Sequence, residues 1–185
     1  MLFDWFAKKS SKSEFAKKIT PARDSQTTNF LFNYSWIMMD KLAIGPMPRY
    51  SEDWLSLEKN GIKKRFSCCY TEEHIFSPIP PDWKSREVSL PDHRSQEELT
   101  SERLIFALNE AINLLNEDSL PVYLHCFAGQ ERSTLLATGL VSLIGKKDLF
   151  DGLAYVRQCY PRARPLYEHL DILERVIKTF KHNQD

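Results

Sequence analysis

The polar and apolar positions of this chain follow two alternating periods. Val122-Tyr123-Leu124 is a short unbroken apolar run of β-formers, the pattern of a strand buried on both faces. From Thr134 to Ile144 the chain is apolar nearly all round, which predicts a buried helix stopped by Gly145. Leu104, Leu108, Ala111, Ile112 and Leu115 recur at helical spacing and predict a helix over 97–116 with one apolar stripe. A helix over 150–160 follows, then a break at Pro161–Pro165, then a closing helix striped by Leu166, Leu170, Leu173, Ile177 and Phe180. Strand patterns precede these over 30–37, after a turn within 38–45, over 62–70 and over 86–90. Between them lies a short helix reaching Asn60, with Ser51 as N-cap, Gly61 as stop, and Trp54, Leu55 and Leu57 facing inward. Residues 71–84, with Pro78, Pro80 and Pro81, are expected to be loop. Strands alternating with helices imply an α/β fold with a central, mostly parallel sheet flanked by helices.

Composition narrows the function. The 185 residues suit one domain and a tail, here a leader over 1–28 and a domain over 29–185. Lysine plus arginine and aspartate plus glutamate each number 25, so no global basic excess points to nucleic acid. The four cysteines, Cys68, Cys69, Cys126 and Cys159, include no C-x-x-C pair and no zinc-like spacing, so no metal or cofactor is expected. Free thiols, no membrane-length apolar run and no secretory core fit a reducing, cytoplasmic setting, and a monomer is expected. Residues 1–7 carry three aromatics, and five lysines follow over 8–18 against Asp4 and Glu14. A flexible leader is the preferred account of them because their helical moment is weak; contact with an anionic membrane is the alternative. Lys63-Lys64-Arg65 is read as a solvated strand entrance, with a substrate-facing patch as its rival.

The chemistry concentrates in His125-Cys126-Phe127-Ala128-Gly129-Gln130-Glu131-Arg132-Ser133, a loop between the buried strand and the buried helix. Unpaired N–H groups and the helix dipole make such a loop an anion site. Gly129 permits a positive φ or a close backbone approach. Arg132, in the first helical turn, presents a fork that matches two oxygens of a phosphate. Cys126 lies at the base of the same positive bowl, a field that favours thiolate over the free thiol of pKa about 8.5.

His125, Cys126, Gly129, Arg132 and Ser133 form a pattern that resembles the phosphate loop His-Cys-x5-Arg-Ser/Thr of the cysteine-dependent protein phosphatases, closest to the small dual-specificity branch. The resemblance spans residues 29–180 and implies a protein tyrosine phosphatase-like fold. It implies Cys126 as nucleophile, Phe127, Ala128, Gly129, Gln130, Glu131 and Arg132 as the phosphate cradle, and Ser133 as a donor to the leaving sulfur. His125 would hold the loop and favour the thiolate. A loop aspartate upstream supplies the leaving-group proton, and Asp92 in Pro91-Asp-His-Arg-Ser-Gln96 stands at that remove after a strand; Asp82 is the rival. Arg162 and Arg164 resemble the family's Arg-Pro corner, a structural or rim feature.

The expected reaction is hydrolysis of phosphotyrosine, and of phosphoserine or phosphothreonine, in a phosphorylated protein partner through a phosphocysteine. Gln130 and Glu131 stand where phosphoinositide-directed relatives carry basic residues, which argues against a polyanionic head group. The competing accounts are a phospho-ligand binding module, a phosphatase of a non-protein ester, and a thiol redox enzyme. A disulfide between Cys126 and Cys68, Cys69 or Cys159 is a further option, which needs close α-carbons.

Overall fold

The computed structural model describes residues 32–74 and 78–182; the expectations for the leader and for a start near Asn29 lie outside these residues. β1 (Ser35–Met38) and β2 (Leu42–Pro46) form an antiparallel hairpin. Its turn places Asp40 at φ 56°, a left-handed value that a short polar side chain tolerates. β2 pairs in parallel with β5 (Val122–Cys126), β5 with β3 (Lys64–Ser67), and β3 with β4 (Lys84–Glu87). The sheet order is β1-β2-β5-β3-β4, so β5 is the central strand. All five of its residues are buried, as the unbroken apolar run required.

The faces of the sheet are packed differently. Ala43 and Tyr123 point to one side, where α1 (Ser51–Glu58) brings Trp54 and Leu57, and where Ile62 and Trp83 complete the cluster. Trp54 and Trp83 meet edge to face with centroids 4.9 Å apart. On the other side Leu42, Phe66, Val122 and Leu124 meet Ala111 of α2 (Ser101–Asn116) and Leu140 of α3 (Arg132–Ile144). All of α3 but Leu143 is buried, because α2, α4 (Leu149–Cys159) and α5 (Tyr167–His182) surround it. No helix among the described residues is long and apolar enough to cross a membrane.

Several boundaries differ from the sequence reading. Ser51 opens α1 rather than capping it; the Asp53 carboxylate accepts the N–H groups of Arg49 and Tyr50. Leu55 is exposed, since a helix this short buries one narrow stripe, Trp54 and Leu57. α2 starts at Ser101, where Thr100 accepts the Arg103 N–H, and Leu114 rather than Leu115 completes its buried stripe. β4 lies two residues earlier than expected, because Arg65 and Lys84 contacts draw 84–87 alongside β3. A 3-10 turn over Thr71–Glu73 interrupts the predicted loop.

The largest correction concerns Lys64 and Arg65, which are neither solvated nor substrate-facing. Lys64 is fully buried; its ammonium donates to the Leu114 carbonyl at 2.8 Å and pairs with Asp118 at 2.9 Å. Arg65 pairs with Glu87 at 2.8 Å and donates to Ser85. Burying an unpaired ion costs several kcal/mol, so each cation is placed where a carboxylate meets it.

Breaking such a pair should cost more than replacing it. Asp118→Ala is expected to lower Tm clearly, and adding Lys64→Met to recover most of the loss in a thermal melt. An unchanged Tm in Asp118→Ala would show that the carbonyls alone satisfy the ammonium.

Candidate active site

β5 ends at Cys126 and α3 begins at Arg132, so the intervening loop sits at the carboxyl edge of the sheet on a helix N-terminus. Its carbonyls are tied outward. The Phe127 carbonyl accepts the Met47 N–H at 3.2 Å, and the Gln130 carbonyl accepts the Arg164 N–H at 2.8 Å. The Thr134 hydroxyl donates to the carbonyls of Gln130 and Glu131. In a planar trans peptide N–H and C=O point in opposite directions, so the amides of Ala128 and Glu131 turn to the concave side. Gly129 takes φ 68°, and a Cβ there would lie 2.5 Å from the Gly45 carbonyl carbon. The Arg-Pro corner is thus a structural tie to the loop through the Arg164 backbone.

Cys126 is buried at the base of the bowl, and the Ser133 hydroxyl donates to its sulfur at 3.3 Å. Arg132 is 2 % exposed. Its two terminal nitrogens donate to the Glu73 carboxylate at 2.6 and 2.8 Å. Among the described residues its Nε–H has no partner. Burial opposes the guanidinium charge, but the Glu73 fork outweighs it and raises the Arg132 pKa. Burial likewise pushes Glu73 up, but the Arg132 fork and the Tyr70 N–H at 2.8 Å hold it below the usual carboxylate range.

Asp92 lies at the rim, 3.3 Å from an Arg132 terminal nitrogen. Its carboxylate accepts the Arg94 N–H at 3.0 Å and an Arg94 guanidinium N–H at 2.6 Å. Burial raises its pKa, but the Arg94 bonds and the Arg132 charge prevail and lower it. Asp82 is remote: it precedes β4 at the opposite edge of the sheet and is paired with the exposed Lys63. His93 and Glu131 pair at 2.8 Å. The Phe127 ring lies between the Arg49 and Arg94 guanidinium carbons, 5.5 and 5.6 Å from its centroid. Asp92, His93 and Glu131 bring their ligand atoms within 4.8 Å of one another. A cation there would face Arg94 and Arg132, and both carboxylates are already engaged, Asp92 by the two arginines and Glu131 by His93, so the trio does not fit a metal.

His125 is fully buried below the loop, with Nε2 3.3 Å from an Arg65 nitrogen. Arginine only donates, so Nε2 is the acceptor and the ring proton sits on Nδ1, beside the Cys126 backbone. Burial, then the charges of Arg65 and His74, push the His125 pKa well below its ordinary value, so the ring is neutral. Glu87 ties Arg65 at 2.8 Å and His74 at 3.2 Å into this layer. Cys68 and Cys69 are buried free thiols at the end of β3, and Cys159 is a free thiol on α4. Burial raises all three, Cys69 to about 12.

The structure therefore brings His125, Cys126, Arg132, Ser133 and Asp92 together around one bowl. Sequence reasoning missed Glu73, Arg65 and Glu87. Glu73 and Arg132 are far apart in the chain and share no motif; Arg65 and Glu87 meet through strand register, since Arg65 pairs with Ser85 and Glu87 lies two residues on.

No protein-family model and no curated protein matches the sequence. Solved structures do match the fold. PTPMT1, in a complex with PI(5)P, superposes with TM-score 0.70 at 13 % identity, covering 82 % of this chain and 99 % of that one. Tk-PTP in its active form gives 0.64 at 19 %, covering 78 % and 96 %. The human tyrosine phosphatase-like serine/threonine/tyrosine-interacting protein gives 0.64 at 15 %, covering 82 % and 97 %. The chain has the protein tyrosine and dual-specificity phosphatase-like fold.

A side chain at position 129 meets both a disfavoured φ, worth about 1–3 kcal/mol, and the β2 backbone. Gly129→Ala is expected to weaken vanadate binding by about tenfold or more with the fold retained by circular dichroism. Wild-type affinity in that variant would show that the loop does not form the anion site.

Proposed function

We propose that the protein is a cysteine-dependent phosphomonoester hydrolase acting on phosphotyrosine, and on phosphoserine or phosphothreonine, in proteins. The observation that carries this is a sulfur receiving the Ser133 hydroxyl at 3.3 Å beneath a buried arginine whose Nε–H has no protein partner among the described residues. A buried N–H left unpaired costs about 1–3 kcal/mol, a cost offset when an oxyanion accepts it.

The steps follow from the positions. The Cys126 thiolate attacks phosphorus, forming S–P as the ester P–O bond breaks. Loop amides and Arg132 hold the equatorial oxygens, where charge gathers in the transition state. The departing electron pair stays on the alkoxide or phenoxide oxygen, which takes the Asp92 proton. Water then attacks phosphorus and gives its proton to Asp92. The S–P pair returns to sulfur, where the Ser133 hydroxyl meets the developing charge. Neutral His125 contributes no charge; held by Arg65, it packs beneath the loop next to Cys126.

A protein substrate is favoured over a polyanionic lipid by the charge around the mouth. Glu73, Asp92 and Glu131 already engage Arg132, Arg94 and His93, so a second phosphate there would compete with carboxylates for those partners. The likeness to PTPMT1 with PI(5)P keeps a phospholipid monoester as the second reading.

Wild type is expected to hydrolyse phenyl phosphate with a chelator present, Cys126→Ser to be inactive, and Asp92→Asn to lose about a hundred- to ten-thousand-fold. Turnover by Cys126→Ser, or loss with the chelator, would overturn the mechanism. The pH profile has a definite sign. The acid must be protonated, and Arg94 and Arg132 hold Asp92 low in the free protein, so the alkaline limb of kcat/KM falls at acid pH. Bound phosphate disfavours ionisation of Asp92, so the limb of kcat lies higher. Arg94→Ala removes the largest lowering contact and is expected to move the kcat/KM limb upward; a limb that stays or moves down contradicts the assignment of the acid.

A further inference from the structure

We propose that His93 and Glu131 form a latch that docks the Asp92 loop on the phosphate loop. Glu131 then acts as a positioning residue for Asp92 and not as a side-chain contact to phosphate. The proposal rests on the assignment of Asp92 as the acid.

Two kinds of contact shape the loop after Leu90. The first are internal: Arg94 N–H to Asp92 at 3.0 Å, Ser95 N–H to the Asp92 carbonyl at 2.9 Å, and the Asp92 N–H to the Ser95 hydroxyl oxygen at 3.0 Å. These set the turn but not its place. The second kind fix its place. Asp92 reaches Arg132 at 3.3 Å, Arg94 reaches Glu73 at 3.2 Å, and His93 holds Glu131 by Nδ1 at 2.8 Å and by its backbone N–H at 3.3 Å.

These docking contacts differ in what a substrate does to them. Phosphate drawn to Arg132 competes with the Asp92 contact, so that contact loosens when the bowl fills, while the Glu73 fork on the terminal nitrogens stays in place. Glu131 stands at the N-cap of α3 with its carboxylate turned away from the sulfur toward His93. The His93–Glu131 contact uses no group that the phosphate needs. It therefore persists through the reaction and keeps the acid over the leaving oxygen. It also explains how a carboxylate is tolerated beside an anion site: its charge is engaged by the His93 ring and backbone. The other charged groups near the pair are Asp92 and Arg94 on the same loop, Arg132 on α3, Glu73 on the 3-10 turn, and His169 on α5, whose buried ring feels Glu131.

The pair is half exposed, so its effect is modest, roughly three- to tenfold. The test uses aryl phosphates whose phenols span strong to weak acids, read as kcat/KM, which covers the proton-donating step. His93→Ala and Glu131→Ala are each expected to steepen the dependence on leaving-group acidity. The loss should reach roughly tenfold for phenyl phosphate and be smaller for p-nitrophenyl phosphate. The double variant should be no worse than either single one, and Glu131→Gln, whose amide oxygen still accepts from Nδ1–H, should recover most of the rate. Losses equal for all phenols, or additive in the double variant, overturn the latch. Amide exchange over 91–96 gives a reading independent of turnover. It should be faster in Glu131→Ala than in wild type, and equal exchange overturns the latch. Wild type inert to every aryl phosphate would sink the phosphatase assignment, while the exchange comparison would still decide the docking.

Discussion

A guanidinium buried at the start of a buried helix is the constraint around which this protein is arranged. Arg132 cannot retreat to solvent, because α3 is enclosed along its length. Its charge must be met inside, and Glu73 meets it with two parallel bonds. That fork uses both terminal nitrogens and fixes the plane of the group. What is left is Nε–H, unpaired among the described residues and available to an oxyanion above Cys126. The central strand supplies the sulfur, the helix supplies the arginine, and the turn after β3 supplies the carboxylate that orients it. The sheet order makes this possible, since β3 is the neighbour of β5 and delivers residues 71–73 to the same edge.

Charge alternates outward from that point. Glu73 is bound by Arg132 and Arg94, Asp92 by Arg94 and Arg132, and Glu131 by His93. Each carboxylate near the mouth has a cation or imidazole, so no bare negative charge faces an incoming phosphate. Below the loop a second polar layer, Glu87–Arg65–His125, sets the tautomer of the histidine next to Cys126. Both layers are networks in which removing one member strands another, which makes them stiff.

The loop over 125–133 and its two flanking elements were legible in the sequence because local rules govern them. An unbroken apolar run makes a buried strand, a glycine permits the positive φ, and an all-round apolar segment makes the central helix. Asp92 was legible as a loop aspartate after a strand, and the fold class followed from the alternation of elements. What could not be read depends on register and on long-range pairing. Lys64 and Arg65 look like surface residues until β4 and the end of α2 bring Glu87 and Asp118 to them. Glu73 looks like any acidic turn residue until Arg132 arrives from the far side of β5. Ser51 looked like a cap, yet Asp53 two residues on reaches back with a stronger acceptor.

The central claim is that Cys126 bonds to phosphorus during turnover. The direct measurement is acid quench of Asp92→Asn mixed with p-nitrophenyl phosphate, an ester whose phenol departs without much help, followed by intact-mass and peptide-mass analysis. Water attack lacks its base in this variant, so the account predicts one phosphoryl group on the Cys126 peptide, absent when Cys126 is also replaced by serine. Release of nitrophenol with no adduct, or with the phosphoryl group on another residue, would contradict it.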